Sequence, residues 1–174
     1  WVDIGAGTGM SLEFLGDRVH RLSKIYLLDL CPSLLEVAEA RVKRLGLTNV
    51  ECVQSDASQF RPPSFVDAIS FSYSLTMIPN WFSAIDVARR WLAPNGKIGV
   101  VDFYVSRKFE PVGRVRHRWW SRTLWPVWFA WDNVFLNDSH LPTLEHCFLR
   151  SVLSERSTRL PYLPFKVPYY LFIG

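Results

Sequence analysis

Three glycines at alternate positions near the start of the chain are the strongest chemical signal in the sequence. The apolar run Trp1-Val2-Asp3-Ile4 leads directly into Gly5-Ala6-Gly7-Thr8-Gly9, and an amphipathic stretch follows. This order predicts a strand, a tight turn and a helix. Glycine is required where the backbone takes positive φ or where any Cβ would collide with a ligand. Because N–H groups at the start of the helix would face that ligand, we predict a binding site at this turn.

The spacing of the glycines separates two kinds of nucleotide ligand. A dinucleotide fingerprint has the form G-x-G-x-x-G. Here the third glycine comes one residue early, and Met10 fills the position that the fingerprint requires. A nicotinamide cofactor is therefore disfavoured. A tight turn in an α/β protein that binds no nucleotide is the simplest alternative.

An acidic residue follows the next apolar run. Residues 24–30 (K-I-Y-L-L-D-L) suit a strand that is buried on both faces of a parallel sheet, and Asp29 lies near its end. A carboxylate at the carboxyl end of the second strand can accept hydrogen bonds from both ribose hydroxyls of a nucleotide. We therefore predict that Asp29 binds ribose, with an ordinary acidic helix-entry residue as the alternative.

Apolar runs and amphipathic stretches alternate through the first 104 residues. Strands are predicted over 49–53, 65–73 and 97–104, one helix over 32–46, and a second helix after Asn80. Five strands joined by helical crossovers predict a parallel, doubly wound α/β sheet. Ligands of such sheets bind beyond the carboxyl ends of the strands. The segments expected at that edge are Gly5 to Gly9, Asp29, Asp56 and Ser72 to Met77.

The composition changes after residue 104. Residues 1–104 contain 10 Lys plus Arg against 11 Asp plus Glu, whereas residues 105–174 contain 10 against 5. Most of the basic excess and five of the eight tryptophans lie in segment 105–131. Clustered tryptophan and arginine are typical of a lipid headgroup boundary. A packed cover over the site and a surface for single-stranded nucleic acid are the alternatives. A helix over 141–153 and a strand over 167–173 are predicted to follow.

Overall composition limits the class of protein. With 174 residues, 49% of them hydrophobic, the chain can bury one core, which favours a single domain. Three widely spaced cysteines without a C-x-x-C pattern favour reduced thiols inside the cell. No His, Cys or Asp cluster has metal-ligand spacing, and no uncharged apolar run approaches the roughly 20 residues of a spanning helix. Because the chain begins inside a strand, we expect that an upstream part is missing.

Longer sequence stretches carry a family resemblance. The G-x-G-x-G form after Asp3 resembles motif I of the class I methyltransferases that use S-adenosylmethionine. Over nearly its whole length the chain is similar to the methyltransferase half of betaine-lipid synthase. The stretches that carry this similarity are Val2 to Gly9, Tyr26 to Cys31, Phe71 to Pro79, Asp102 to Ser106, Pro161 to Pro164 and Pro168 to Tyr170.

This resemblance implies a fold and a cofactor site. The fold would be a Rossmann-like, mainly parallel seven-stranded sheet with a last antiparallel strand inserted into it. Residues 1–104 would bind S-adenosylmethionine, residues 105–131 would form a lid or a membrane-facing insertion, and residues 132–174 would complete the sheet. In this pattern Asp56 hydrogen-bonds the adenine amine, and the backbone N–H of Ala57 meets the ring. The implied cofactor-binding residues are Asp3, Gly5, Ala6, Gly7, Gly9, Asp29, Leu30, Asp56, Ala57 and Ser72.

The resemblance also implies a reaction. Members of the family methylate the amine of diacylglycerylhomoserine three times. The attacking amine must be neutral, in line and close, so positioning can supply most of the catalysis, and no metal is needed. Tyr73 is the leading candidate to contact the amine, followed by His117 and Asp102. Aromatic faces would favour the cationic product, and forked arginine donors would suit the homoserine carboxylate. The candidates are the rings of Tyr73, Trp81, Tyr104 and Trp119, and the guanidinium of Arg107 or Arg114.

A lipid substrate implies a peripheral protein on the cytoplasmic side of a membrane, the endoplasmic reticulum in a eukaryote. A fused or separate homoserine-transferring enzyme would be its partner, and nucleic acid would not. Two other functions remain open. One is methylation of a quinone, a sterol, phosphatidylethanolamine or a soluble acceptor. The other is a catalytically silent module that binds membranes.

Overall fold

The computed structural model describes residues 1–159 and 165–174, which form a seven-stranded sheet with helices on both faces. The strands are β1 (Val2–Ile4), β2 (Ile25–Asp29), β3 (Val50–Gln54), β4 (Val66–Ser72), β5 (Leu92–Phe103), β6 (Val152–Arg159) and β7 (Lys166–Ile173). The α-helices are α1 (Ser11–Leu15), α2 (Pro32–Arg44), α3 (Trp81–Trp91), α4 (Trp119–Ala130) and α5 (His140–Cys147). Single 3-10 segments cover Gly16–Arg21 and Leu75–Met77.

The strand order is β3-β2-β1-β4-β5-β7-β6. Strands β1 to β5 pair in parallel, and β7 runs antiparallel between β5 and β6. The predicted mainly parallel, seven-stranded sheet with an inserted antiparallel strand is therefore confirmed. The order changes direction between β1 and β4, so the carboxyl ends of these strands flank the crevice where such sheets bind ligands.

Alternating side chains on the strands supply a core on each face of the sheet. On β2, Ile25 and Leu27 face α1 and α2, whereas Leu28 belongs to the core beneath α3 and α5. Burial of these apolar side chains is the main force that holds the helices on the sheet. A third apolar cluster fixes α4 beside the end of β5 and the start of β7, and contains Val105, Trp125, Phe129, Leu136 and Val167.

The sequence-based boundaries differ from the structure mainly in the last third of the chain. The predicted helix over 141–153 is wrong at its end, because α5 stops at Cys147 and residues 152–159 form β6. Pairing with β7 gives these residues a hydrogen-bonding partner that local sequence does not reveal. Residues 94–96, just before the strand predicted over 97–104, lie inside β5 at a bulge, where Asn95 has a φ of 70°. The resemblance stretch Pro161 to Pro164 lies outside the described residues.

Within residues 1–159 and 165–174, no helix combines the length and the apolar character that crossing a bilayer requires.

Candidate cofactor cleft and acceptor wall

A cleft of about 320 Å³ lies at the carboxyl edge of the sheet, over the ends of β1, β2 and β3. Three separate parts of the chain line it: the glycine loop, the segment after β2, and the segment after β3. The segment after β4 is a fourth part of the lining. The lining residues predicted from the sequence are Gly5, Gly7, Asp29, Leu30, Asp56 and Ala57.

Two of the three glycines allow close packing within the protein. A Cβ on Gly5 would lie 2.3 Å from the Cβ of Ser74, and one on Gly9 would lie 3.3 Å from the Cβ of Ala38. Gly5 thus lets the segment after β4 approach the loop, where the Ser74 hydroxyl donates to the Ile4 carbonyl at 2.7 Å. Gly9 lets α2 approach the start of α1. Neither contact involves a ligand.

Gly7 and Asp29 form the polar centre of the cleft. A Cβ built on Gly7 meets no atom within 4 Å, so this glycine leaves open space on the cleft side. The Gly7 N–H donates to Asp29 Oδ2 at 2.7 Å, and the Cys31 N–H donates to Asp29 Oδ1 at 2.9 Å. Each carboxylate oxygen therefore carries one protein hydrogen bond and retains further acceptor capacity. Asp29 can therefore accept from two adjacent hydroxyls of a ligand.

Asp56, which follows β3, also lines the cleft. Its Oδ1 accepts from the Ser58 N–H at 2.7 Å and from the Ser58 hydroxyl at 2.6 Å. These hydrogen bonds lower the pKa of Asp56, so its second oxygen is a charged acceptor at neutral pH. Ala57 and Leu30 contribute apolar surface to the same lining. The lining thus combines two carboxylate acceptors with apolar surface.

Three other predicted cofactor residues lie on the opposite side of the glycine loop. Asp3, Ala6 and Ser72 line a second cavity of about 400 Å³, and Gly5 borders both cavities. The buried Asp3 carboxylate accepts from the hydroxyls of Ser11 and Ser70 at 2.6 Å each, while burial raises its pKa. Asp3 thereby ties the start of α1 to β4 and holds the loop in place.

Tyr73 begins an aromatic wall beyond the end of β4. Its backbone has a φ of 52°, which is rare for a residue other than glycine, and its side chain remains 41% exposed. Backbone strain of this kind is characteristic of functional sites. The Tyr73 ring lies 4.9 Å from the Phe103 ring, which lies 5.2 Å from the Phe129 ring of α4. Tyr73, Phe103 and Phe129 are called the aromatic wall below.

The structure separates the other two catalytic candidates from the cleft lining. Asp102 is fully buried, and its oxygens accept from the Thr76 N–H at 3.1 Å, the Thr76 hydroxyl at 2.9 Å and the Phe103 N–H at 2.8 Å. Burial raises the pKa of Asp102 to about 6. Asp102 therefore secures the 3-10 segment beside the cleft. His117 lies in a separate cavity, where its Nδ1 accepts from the Ser106 N–H at 3.0 Å.

The remaining candidates for substrate contact have other partners. The Tyr104 hydroxyl donates to Glu155 at 2.7 Å, and Trp81 packs against His140. The mostly buried Arg114 guanidinium pairs with Glu145 at 2.8 Å and with Glu155 at 3.4 Å, so it is not free for a carboxylate. Trp119 points outward on α4 and is 74% exposed. Of the four rings chosen from the sequence, Tyr73 is the one that belongs to the aromatic wall.

Sequence reasoning missed several residues that line the cleft or its wall. Phe103 and Phe129 come from β5 and α4, and no spacing rule links them to Tyr73 before the fold is known. The segment after β4 contributes more of the lining than expected. Ser74 and Met77 lie within the segment Ser72 to Met77 that was expected at this edge. The lining residues that were not predicted are Cys31 and Leu34 after β2, and Ile78 and Pro79 after the 3-10 segment. The unusual stretch from Phe71 to Pro79 was the signal that could have identified Ile78 and Pro79.

A doubly wound sheet with this strand order, an inserted antiparallel strand and a cleft beyond the carboxyl ends of its parallel strands defines the class I S-adenosylmethionine-dependent methyltransferases. The sequence profile of the methyltransferase domain family matches residues 2–96. The chain belongs to this methyltransferase domain family, and S-adenosylmethionine is the cofactor of the class, as the sequence predicted.

Related proteins and solved structures agree with this assignment. The ubiquinone/menaquinone biosynthesis C-methyltransferase UbiE of Pseudomonas savastanoi is 30% identical over 104 residues, which is 59% of this chain and 41% of that protein. The demethylmenaquinone methyltransferase of Geobacillus stearothermophilus is 28% identical over 96 residues, which is 55% of this chain and 41% of that protein. The chain thus spans about two fifths of the length of the curated relatives that it matches.

Two solved structures illustrate the fold. The N-methyltransferase NodS of Bradyrhizobium japonicum, in complex with S-adenosyl-L-homocysteine, superposes with a TM-score of 0.71 at 16% identity, covering 99% of this chain and 74% of that one. A SAM-dependent methyltransferase from Aquifex aeolicus superposes with a TM-score of 0.62 at 19% identity, covering 99% and 80%. These similarities concern the fold alone.

Proposed function

We propose that the chain transfers methyl groups from S-adenosylmethionine to the amine of diacylglycerylhomoserine, which yields the betaine lipid diacylglyceryl-trimethylhomoserine. The observation that supports this proposal most directly is the position of the stretch Phe71 to Pro79. This stretch carries the most distinctive part of the resemblance to betaine-lipid synthase. In the fold it provides Tyr73 of the aromatic wall and four residues of the cleft lining, Ser74, Met77, Ile78 and Pro79.

Residues of the cleft would hold the cofactor. The open space at Gly7, the acceptor capacity of Asp29 and the apolar surfaces of Leu30 and Ala57 suit an adenosine group. When bound, S-adenosylmethionine supplies an electrophilic sulfonium methyl group. The protein contributes mainly by fixing the distance and the angle between that group and the amine, since in-line positioning lowers the barrier.

The aromatic wall would orient the amine. Burial raises the pKa of Tyr73, so its phenol stays protonated at neutral pH and is not a general base. Its oxygen can accept a hydrogen bond from an amine N–H, which aims the nitrogen lone pair at the methyl group. The proton released after each of the first two transfers passes to water. As the nitrogen becomes permanently cationic, the faces of Tyr73, Phe103 and Phe129 stabilise it.

Methylation of a quinol carbon is the second candidate function, because the names of the relatives described above include quinone biosynthesis. An aromatic wall also suits a quinol ring, by stacking. However, Phe103, Phe129 and α4 come after the last residue that the methyltransferase domain profile matches, Gly96. The methyl acceptor of the relatives therefore cannot be assigned directly to this chain.

An acceptor competition tests the proposal. The chain is incubated with methyl-labelled S-adenosylmethionine and mixed micelles that contain diacylglycerylhomoserine, phosphatidylethanolamine and a demethylated quinol in equal amounts. We expect label in the homoserine lipid and its trimethylated product. Label that appears mainly in the quinol would favour the second candidate, and label in phosphatidylethanolamine would also contradict the proposal.

A further inference from the structure

Helix α4 presents two apolar faces. Its inner face, with Ser121, Trp125 and Phe129 at intervals of four residues, packs against the ends of β5 and β7. Such spacing places the three side chains on one side of a helix. The inner face is therefore accounted for by the core, whereas the side chains that point away from it need another explanation.

The outer face is also apolar, although it is exposed. Large hydrophobic side chains point into solvent from α4 and from the residues that follow it, and Trp131 is 86% exposed. Single exposed apolar residues are ordinary, but a contiguous group marks an interaction surface. The group, called the outer patch below, contains Trp119, Leu124, Val127, Trp128, Trp131 and Phe135.

Basic residues precede the outer patch. Arg107, Lys108, Arg116 and Arg118 are exposed, and none of them forms an ion pair with any residue that the structure describes. The acid among them, Glu110, accepts from the Arg107 backbone N–H. Arg107, Lys108, Arg116 and Arg118 are called the basic flank. The surface thus joins uncompensated positive charge to exposed indole rings, with Asp132 as the acid adjoining the patch.

We propose that the outer patch and the basic flank form a docking surface for an anionic lipid bilayer. Indole rings favour the boundary between headgroups and acyl chains, while arginine side chains reach the phosphate level. Each basic residue near an anionic leaflet adds to the attraction. A second protein chain would satisfy the apolar surface without requiring the cluster of unpaired cations beside it.

Docking through this surface would bring the cleft to a lipid substrate. The purpose of the docking surface therefore rests on the proposed function. Phe129 on the inner face touches Phe103 of the aromatic wall, and the Phe135 N–H donates to the Thr76 carbonyl at 2.8 Å. The patch therefore lies on the element that forms the acceptor side of the cleft. A lipid amine at the bilayer surface would enter beside Tyr73 without leaving the headgroup region.

Co-sedimentation with vesicles tests this proposal without reference to catalysis. Vesicles contain phosphatidylcholine alone or phosphatidylcholine mixed with phosphatidylserine. We expect the chain to bind the anionic vesicles, and the double variant R116A/R118A to bind them about 25-fold more weakly, about fivefold for each arginine. Trp131→Glu should weaken binding about tenfold or more, since it places a charge among the indole rings.

Matched controls lie on other exposed parts of the chain. R18A/R21A removes two exposed cations, and Phe82→Glu replaces an exposed aromatic residue on α3. Both controls should bind vesicles as the parent chain does. Equal binding by the patch variants and the parent chain would overturn the proposal, as would absence of binding to anionic vesicles. So would loss of self-association, or of single-stranded RNA binding, in Trp131→Glu while vesicle binding persists.

The docking and the proposed function can fail separately. Vesicle binding without methyl transfer to the homoserine lipid would retain the docking surface and remove the proposed function. Methyl transfer in detergent micelles by a chain that binds no vesicles would retain the proposed function and remove the docking surface.

Discussion

At the scale of single residues, the glycine loop shows how one motif combines two physical requirements. Gly5 and Gly9 are needed because other parts of the protein approach them, whereas Gly7 is needed because space must remain open. The sequence predicted all three positions because strand, turn and helix follow one another locally. It could not assign the separate reasons, since Ser74 and Ala38 lie far away along the chain.

These roles predict different outcomes for two alanine variants. Both glycines have positive φ, so each variant carries a backbone cost of about 1 to 2 kcal/mol. Gly5→Ala also drives a Cβ into Ser74 and should lower the free energy of unfolding by about 2 to 4 kcal/mol in urea denaturation. Gly7→Ala should lose less stability, but its methyl group should weaken S-adenosylhomocysteine binding in calorimetric titration.

The opposite ranking would contradict this assignment. If Gly7→Ala were the less stable variant and bound S-adenosylhomocysteine as tightly as the parent chain, Gly7 would be a packing residue.

Tyr73 carries a second prediction at this scale. Tyr73→Phe keeps the aromatic face and removes the oxygen that orients the amine, so kcat should fall about 10- to 100-fold while stability is retained. Tyr73→Ala should lower kcat further and weaken retention of the partly methylated lipid, because a cation-stabilising face is lost. The distribution of mono-, di- and trimethylated products, measured by mass spectrometry, checks both effects. Unchanged kcat in Tyr73→Phe would remove the hydroxyl from the reaction.

At the scale of elements, parallel strands were predictable and the C-terminal hairpin was not. Buried parallel strands have sequences that are short apolar runs. The predicted bounds of β2 and β4 therefore lie within one residue of the bounds in the structure. Strand β6 contains Ser154, Glu155 and Arg156, which give no apolar alternation, and it exists because β7 pairs with it. Such long-range pairing overrides local propensity.

The sequence did not show which residue holds the 3-10 segment Leu75–Met77 in place. Asp102 was predicted as a candidate to contact the amine, after Tyr73 and His117. Its carboxylate instead bonds Thr76, 26 residues away. The sequence cannot show whether the Asp102 carboxylate faces a cleft or a backbone amide, because this depends on which residues the fold brings beside it.

The raised pKa of Asp102 predicts a specific pH dependence of the free energy of unfolding. Its pKa in the folded state is raised to about 6, above the unfolded value, so its favourable contribution is complete below about pH 4 and is lost as the pH rises through 6. Relative to Asp102→Asn, the parent chain should lose about 2 to 3 kcal/mol of unfolding free energy between pH 4 and 7. Urea denaturation at several pH values measures this difference.

The difference in unfolding free energy between the parent chain and Asp102→Asn isolates the effect of Asp102 from that of other titrating groups. Burial lowers the pKa of His140 to about 4, so this histidine costs stability as the pH falls below about 6.5. His140 is present in both proteins, and its effect cancels. A difference between parent chain and variant that stays constant from pH 4 to 7 would exclude the raised pKa of Asp102.

At the scale of the whole molecule, the cofactor side and the acceptor side come from different parts of the chain. The residues that would contact adenosine lie within the matched range 2–96, whereas Phe103, Phe129 and the outer patch follow it. The first part follows short spacing rules, so its candidate residues could be named from the sequence. The acceptor side depends on how α4 packs against β5 and β7, which only the fold reveals.

Calorimetric titration shows whether the cleft lined by Gly7, Asp29 and Asp56 binds S-adenosylmethionine. The parent chain should bind this cofactor and not NADH. Asp29→Ala should weaken binding roughly 10- to 100-fold, or about 1.5 to 3 kcal/mol, because charge-assisted hydrogen bonds are lost. Asp67→Ala, which removes an exposed carboxylate near the opposite end of β4, should bind normally. Equal affinity in the parent chain and Asp29→Ala, or tight binding of NADH alone, would contradict the account.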